Sequence, residues 1–142
     1  MQLMARSQYG TRLLLDLAEY YGKGPIKLRV IAKRQNISVK YLELIIRTLK
    51  KGNYIRSFRG PKGGHVLSKP PDKITVGEIV ALLEGSSFLT PCSESFKFCK
   101  RSGKCLTRKL WIEASRVLFD CLNQITFADL LLGKGISPLS NA

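Results

Sequence analysis

Three cysteines, Cys92, Cys99 and Cys105, fall within fourteen residues, with six and then five residues between them. Ser, Gly, Lys and Arg surround them, with few side chains able to form a core, so the sequence predicts a loop that bends its thiols toward a common point. Thiolates select soft centres such as zinc, copper(I) or iron-sulfur clusters over hard cations. Lys97, Lys100, Arg101, Lys104, Arg108 and Lys109 lie close by, and nearby positive charge favours the thiolate, the form that ligates metal or reacts. The spacing departs from the paired C-x2-C of a zinc ribbon, which disfavours a structural zinc site. The plain alternative is a set of reduced thiols, or a disulfide, in an exposed loop.

Charge points to a second kind of chemistry. The chain of 142 residues carries a formal charge of +14, and 15 Lys and Arg against 3 acids lie in residues 1–70, while residues 71–142 hold 9 against 7. A positive field concentrated on one half suits a polyanion, because clustered Lys and Arg release phosphate counterions. A membrane surface would call for a basic amphipathic helix with exposed apolar residues, and none stands out. No apolar run approaches the roughly 18 residues of a membrane span, and MQLMARSQYG lacks a secretory signal's apolar core. No membrane partner, a cytoplasmic location and reduced thiols are therefore expected.

The elements that would position these groups follow from periodicity. Residues 7–21 form a helix with Tyr9, Leu13, Leu14, Leu17 and Ala18 on one stripe and Gly22 as its stop. Residues 28–35 form a short helix burying Val30, Ile31 and Ala32; Asn36 and Ile37 turn the chain, and Ser38 caps the next helix. That helix, residues 39–51, buries Leu42, Ile45, Ile46 and Leu49 and ends at Gly52. Lys40, Tyr41, Glu43, Arg47 and Lys51 occupy its other face, as on a recognition helix bound in a major groove. Two helices joined by a tight turn in this way make a helix-turn-helix.

Residues 54–58 and 65–67 read as strands around the turn Arg59-Gly60-Pro61-Lys62-Gly63-Gly64, which makes a hairpin, or wing, directly after the reading helix. Arg59 and Lys62 among small residues can approach a phosphate ribbon or a narrow minor groove. The Gly-rich turn lacks P-loop spacing. His65 is the single histidine and has no carboxylate cluster near it, so no catalytic constellation is present and the chain is not expected to be an enzyme.

Thr75 and Glu78 fit a capping box opening a helix through Ile79, Val80, Leu82 and Leu83 to Gly85. After the cysteine loop, Thr107 is placed to cap a long helix whose Trp111, Ala114, Leu118, Cys121 and Ile125 form a heptad seam, flanked by Leu110, Val117 and Leu122. Such a seam suits self-association, and Cys121 within it reads as a buried small residue rather than a ligand. One or two further turns end at Gly133.

The order of elements, with ISVKYLELIIRTLKKGNYI, RGPKGGHVL, three cysteines and CLTRKLW, resembles bacterial winged-helix iron-sulfur transcription regulators of the IscR and NsrR type over residues 1–132. The resemblance implies a homodimer bound to a palindromic operator in double-stranded DNA. Ser38, Lys40, Tyr41 and Glu43 would face the major groove, and Arg59, Gly60 and Pro61 the minor groove. Cys92, Cys99 and Cys105 would hold a 2Fe-2S or 4Fe-4S cluster. Where IscR-like members carry a histidine this chain has Arg108, which is a poor ligand. Where NsrR-like members take a carboxylate from the partner it has Gln8, which with Glu94, Thr107, solvent or a small thiol is a candidate fourth ligand. Leu44 stands where the IscR-like pattern has glutamine, so the preferred DNA sequence is expected to differ.

The expected fold is mainly α with a small β-wing: a winged helix-turn-helix over residues 1–85, a linker and cysteine loop over 86–107, a dimerisation helix and short terminal helix over 108–132, and a disordered tail over 133–142. The expected function is a DNA-binding regulator sensing iron-sulfur status, nitric oxide or redox state. One rival is a cluster-free winged-helix regulator that uses the cysteines as thiol sensors or answers to a partner protein. Another is a metal-binding redox or scaffold protein.

Overall fold

A computed structural model describes residues 1–134; the remainder of the tail expected to be disordered lies outside the described residues. The elements run α1 (Ala5–Glu19), α2 (Leu28–Gln35), α3 (Val39–Lys51), β1 (Ile55–Phe58), β2 (Gly64–Leu67), α4 (Val76–Glu84), α5 (Pro91–Glu94), α6 (Leu106–Asn123) and α7 (Phe127–Leu131). This is a mostly helical chain with a two-stranded antiparallel wing, as the periodicity predicts.

α1 is the axis of the core. Leu13, Leu14, Leu17 and Ala18 are buried on it, facing Leu42, Ile45, Ile46 and Leu49 of α3 and Ile79 and Leu83 of α4. Gly10 permits the close approach, since a Cβ there would run into Leu83 and sit 3.2 Å from Ile45 Cγ2. Glu84, at the far end of α4, accepts from the Met4 amide (2.7 Å) and the Ser7 hydroxyl (2.6 Å) and so ties down the start of α1.

The helix-turn-helix is fastened by a buried carboxylate. Asp16 accepts from Arg34 Nη2 (2.5 Å) and Nε (3.1 Å) and from Gln35 Nε2 (2.9 Å), while Arg12 Nη2 reaches the Gln35 carbonyl (2.5 Å). The Asp16 side chain is only 3% exposed and that of Arg34 is 33% exposed. α2 ends on Asn36 in the left-handed conformation, with φ +53°, a short polar residue that tolerates it. Val30, expected in the core, is 44% exposed; Ile31 and Ala32 face α1 and α3, and one helical step from Ile31 turns Val30 toward solvent.

In the wing, Ile55 pairs with Leu67 and Phe58 with Gly64. Ile26 extends the sheet by exchanging backbone hydrogen bonds with His65 at 3.0 and 2.8 Å. Thr75 caps α4 by accepting from the Glu78 amide (3.2 Å), but the Glu78 carboxylate takes the Thr75 hydroxyl (3.0 Å), so the reciprocal capping box is not formed there. It is formed by Thr126 and Asp129 at the start of α7. That cap swings Phe127 fully into the core against α1, with its amide donating to the Ile74 carbonyl at 3.0 Å.

Arg34→Met is expected to cost about 3 kcal/mol or more, because it strands a buried carboxylate. Asp16→Ala is expected to cost about 2 kcal/mol, because the freed guanidinium can hydrate. Urea unfolding of both variants measures the order, and an Asp16 variant less stable than the Arg34 variant would contradict it.

Candidate nucleic-acid interface and cysteine loop

Burial of Leu42, Ile45, Ile46 and Leu49 turns Lys40, Glu43, Leu44, Arg47 and Lys51 to solvent. Ser38 caps the helix, its hydroxyl accepting from the Tyr41 amide at 3.1 Å. The Tyr41 ring is half-buried and meets Tyr9 edge-on, with centroids 5.6 Å apart. At the wing tip Arg59, Gly60, Pro61 and Lys62 are all exposed. The tip closes through the Gly63 amide donating to the Gly60 carbonyl (2.9 Å), and Gly60 sits at φ +100°, which favours glycine.

An open groove of about 700 Å³ runs between α2, α3 and the wing, lined by Lys27, Arg29, Glu43, Arg47, Lys50 and His65. Lys27, Arg29 and Lys50 were not singled out by sequence reasoning. Their only signal was charge adjoining the helix-turn-helix. His65 Nδ1 lies 2.7 Å from Ser57 Oγ, and burial, then the Lys50 charge, holds the imidazole below its ordinary pKa.

The cysteine loop is pinned at its ends. Thr90 Oγ1 lies 2.6 Å from Ser93 Oγ and 3.3 Å from Cys92 Sγ. Arg108 Nε donates to the Cys92 carbonyl (2.6 Å), and the guanidinium lies over Phe96 at 5.3 Å. Arg108 thus braces the first cysteine's turn against α6. Ser115, buried in α6, accepts from the Leu89 amide (2.9 Å) and donates to the Trp111 carbonyl (2.6 Å). A lone serine on an otherwise apolar helix face was the overlooked signal.

Cys105, not Thr107, occupies the N-cap position of α6. Thr107 lies in the first turn with its hydroxyl 3.1 Å from Cys105 Sγ. That hydrogen bond first, and the Arg108 amide second, hold the Cys105 thiol below the usual range. Cys99 is exposed and Cys92 half-buried. The expected convergence of the thiols is not seen: among the described residues no three His, Cys, Asp or Glu side chains come together to hold a metal. With only short helical turns at residues 91–94 and 96–98, this segment has no regular element to hold the sulfurs together.

In kind, the donors still suit a soft centre. They comprise three thiols, one of which, Cys105, is biased to thiolate and lines a cleft of about 770 Å³ with Phe96, Lys100, Arg101, Lys104 and Thr107. Ser102, between the last two cysteines, buries a hydroxyl with no hydrogen-bond partner. Gln8 is exposed on α1, its amide donating to the Leu3 carbonyl at 3.0 Å.

α6 has two apolar sides. Ser115, Leu118 and Leu122 lie on the side toward α4, whereas Leu106, Leu110, Val117 and Cys121 form an exposed stripe. The heptad seam expected through Leu118 is therefore divided, and Cys121 is exposed because it falls on the side away from α4.

The Rrf2 family, described as an iron-dependent transcriptional regulator, matches residues 3–132. The chain belongs to the Rrf2 family. It is 43% identical over 138 residues to protein rrf2 of Nitratidesulfovibrio vulgaris, covering 97% of this chain and 92% of that one. Among solved structures it is similar to T. potens IscR, with 34% identity, a TM-score of 0.76, and 94% and 88% of the two chains covered. It is also similar to CymR, the global cysteine regulator of B. subtilis, with 32% identity, a TM-score of 0.74, and 92% and 95% covered. This Rrf2-family chain is accordingly a transcription regulator of the IscR type and not an enzyme. No helix among its described residues is long and apolar enough to cross a membrane.

With the other cysteines replaced by serine, Cys105 of this Rrf2-family chain is expected to alkylate with a pH midpoint below the ordinary thiol value of about 8.5. Thr107→Val should move that midpoint upward, as read by iodoacetamide rates. His65, depressed in the folded state, takes up its proton more readily on unfolding. Stability should therefore be full above about pH 6.5, decline as pH falls toward the lower folded value, and decline less in His65→Gln, as measured by denaturant midpoints.

Proposed function

We propose that the chain is a homodimeric, sequence-specific DNA-binding regulator, working in the cytoplasm, whose hold on a palindromic operator depends on an iron-sulfur cluster held by Cys92, Cys99 and Cys105. The observation that carries the DNA reading is the capped, solvent-facing side of α3 next to a basic wing tip. Ser38, Lys40, Tyr41 and Glu43 meet the major groove, and Arg59, Gly60, Pro61 and Lys62 meet the minor groove or its phosphates. The exposed stripe of Leu106, Leu110, Val117 and Cys121 supports pairing of α6 with its counterpart. Two readers so paired take half-sites about one helical turn, or a multiple of it, apart.

When bound, such a cluster supplies a centre sensitive to redox state and nitric oxide. The protein's part is mechanical. Residues 95–105 must draw inward to offer three sulfurs together, while the start of the loop stays tethered to α6 through Arg108, at the Cys92 carbonyl, and Ser115, at the Leu89 amide. Changes in loop order thereby bear on α6 and on the spacing of the two α3 helices. Control requires that the loaded and empty loops favour different dimer arrangements, since a ligand shifts only equilibria in which its affinities differ. Gln8 of the second subunit, Glu94 and Thr107 are the side chains available as a fourth ligand.

A cluster-free thiol sensor is the second reading, favoured by the separated sulfurs and by the thiolate-prone Cys105. Anaerobic reconstitution with iron and sulfide separates the two. Visible absorbance that is lost in Cys92→Ala supports the cluster, whereas colourless, iron-free protein removes it. For DNA, Arg59→Ala is expected to weaken binding and to lower the salt-dependence slope by about one. Val117→Glu should yield monomers in sedimentation, and a Val117→Glu dimer would exclude the α6 interface.

A further inference from the structure

The outermost row of α3 reads Lys40, Leu44, Arg47, Lys51, at spacings of four, three and four that align them along one stripe. Three of the four are cations. The fourth, Leu44, is 52% exposed and lies between Lys40 and Arg47 at the middle of the face. An exposed leucine set between Lys40 and Arg47, with Glu43 beside it, is poorly matched to a protein or lipid surface, which would bury the charges along with it. The major groove matches it, because phosphates line both walls while the thymine C5 methyl on the floor is apolar.

We propose that Leu44 reads a thymine in each half-site by packing against its C5 methyl, with Lys40 and Arg47 bridging to the flanking phosphates. The inference rests on the proposal that α3 enters the major groove. Leucine offers no donor or acceptor, so it cannot choose adenine or guanine by a bidentate hydrogen bond. It distinguishes thymine from cytosine by the methyl group alone. A contact of this size is worth about one buried methylene, roughly fourfold in affinity per half-site and about 16-fold when both are altered.

The test uses the full chain to select binding duplexes from a random pool, then replaces each thymine of the selected duplex in turn with deoxyuridine, which removes only the methyl. The expected result is one symmetry-related thymine pair whose demethylation weakens binding by about these factors, with the difference lost in Leu44→Ala and kept in Leu44→Met. Because Leu44 is exposed, both variants should keep the parent's thermal midpoint, which confirms folding. Duplexes that bind equally well with uracil at every position, or a demethylation loss that persists in Leu44→Ala, overturn this inference while leaving DNA binding intact. Failure to enrich any duplex overturns both it and the reading on which it rests.

Discussion

Leu42, Ile45, Ile46 and Leu49 keep one side of α3 dry against α1 and α4, and the rotation they impose decides what the rest of the helix can touch. Each such side chain contributes about 1.5–3 kcal/mol on burial, so rolling the helix half a turn would forfeit roughly 6–12 kcal/mol, comparable to the whole stability of a typical domain. The exposed row is therefore a fixed surface. Lys40, Leu44, Arg47 and Lys51 face outward because the apolar residues between them cannot.

The Asp16 clamp serves the same end from the other side. An aspartate held by Arg34 and Gln35 locks the end of α2 to α1, and α2 in turn sets the turn from which α3 departs. Hydrophobic packing alone is non-directional; the planar guanidinium against a carboxylate adds a defined angle. The cysteine loop contrasts with this. Its ends are tied through Thr90, Arg108 and Ser115, yet between them Phe96, Phe98 and Cys99 are exposed, so its arrangement is governed by few apolar contacts and is open to change when the thiols bind or react.

What could be read in the sequence was what local physics determines. Val39–Lys51 and Leu28–Gln35 were read with the bounds the structure gives, because a strong apolar period, a serine cap and a left-handed asparagine act within a few residues. The wing followed from alternating residues around a Gly-Pro turn. The features missed were long-range or solitary: the pairing of Ile26 with His65, the Asp16 clamp, and Ser115 reaching back to Leu89. Phe127 was hidden in a segment read as a mere extra turn, although Thr126 and Asp129 carry the cap spacing. The thiol convergence inferred from cysteine spacing failed because spacing limits the reach of a loop without determining its shape, and Val30 was misplaced because an eight-residue helix leaves its buried arc ambiguous by one residue.

In the proposed function, the state of the three thiols governs the grip on DNA. Its most direct measurement is the affinity of the same chain for the same selected duplex under anaerobic conditions, once with iron and sulfide restored and once metal-free, at fixed salt. The expected affinities differ at least tenfold and become equal in Cys92→Ala. Equal affinities in the unaltered chain, with metal incorporation verified by absorbance, would contradict it.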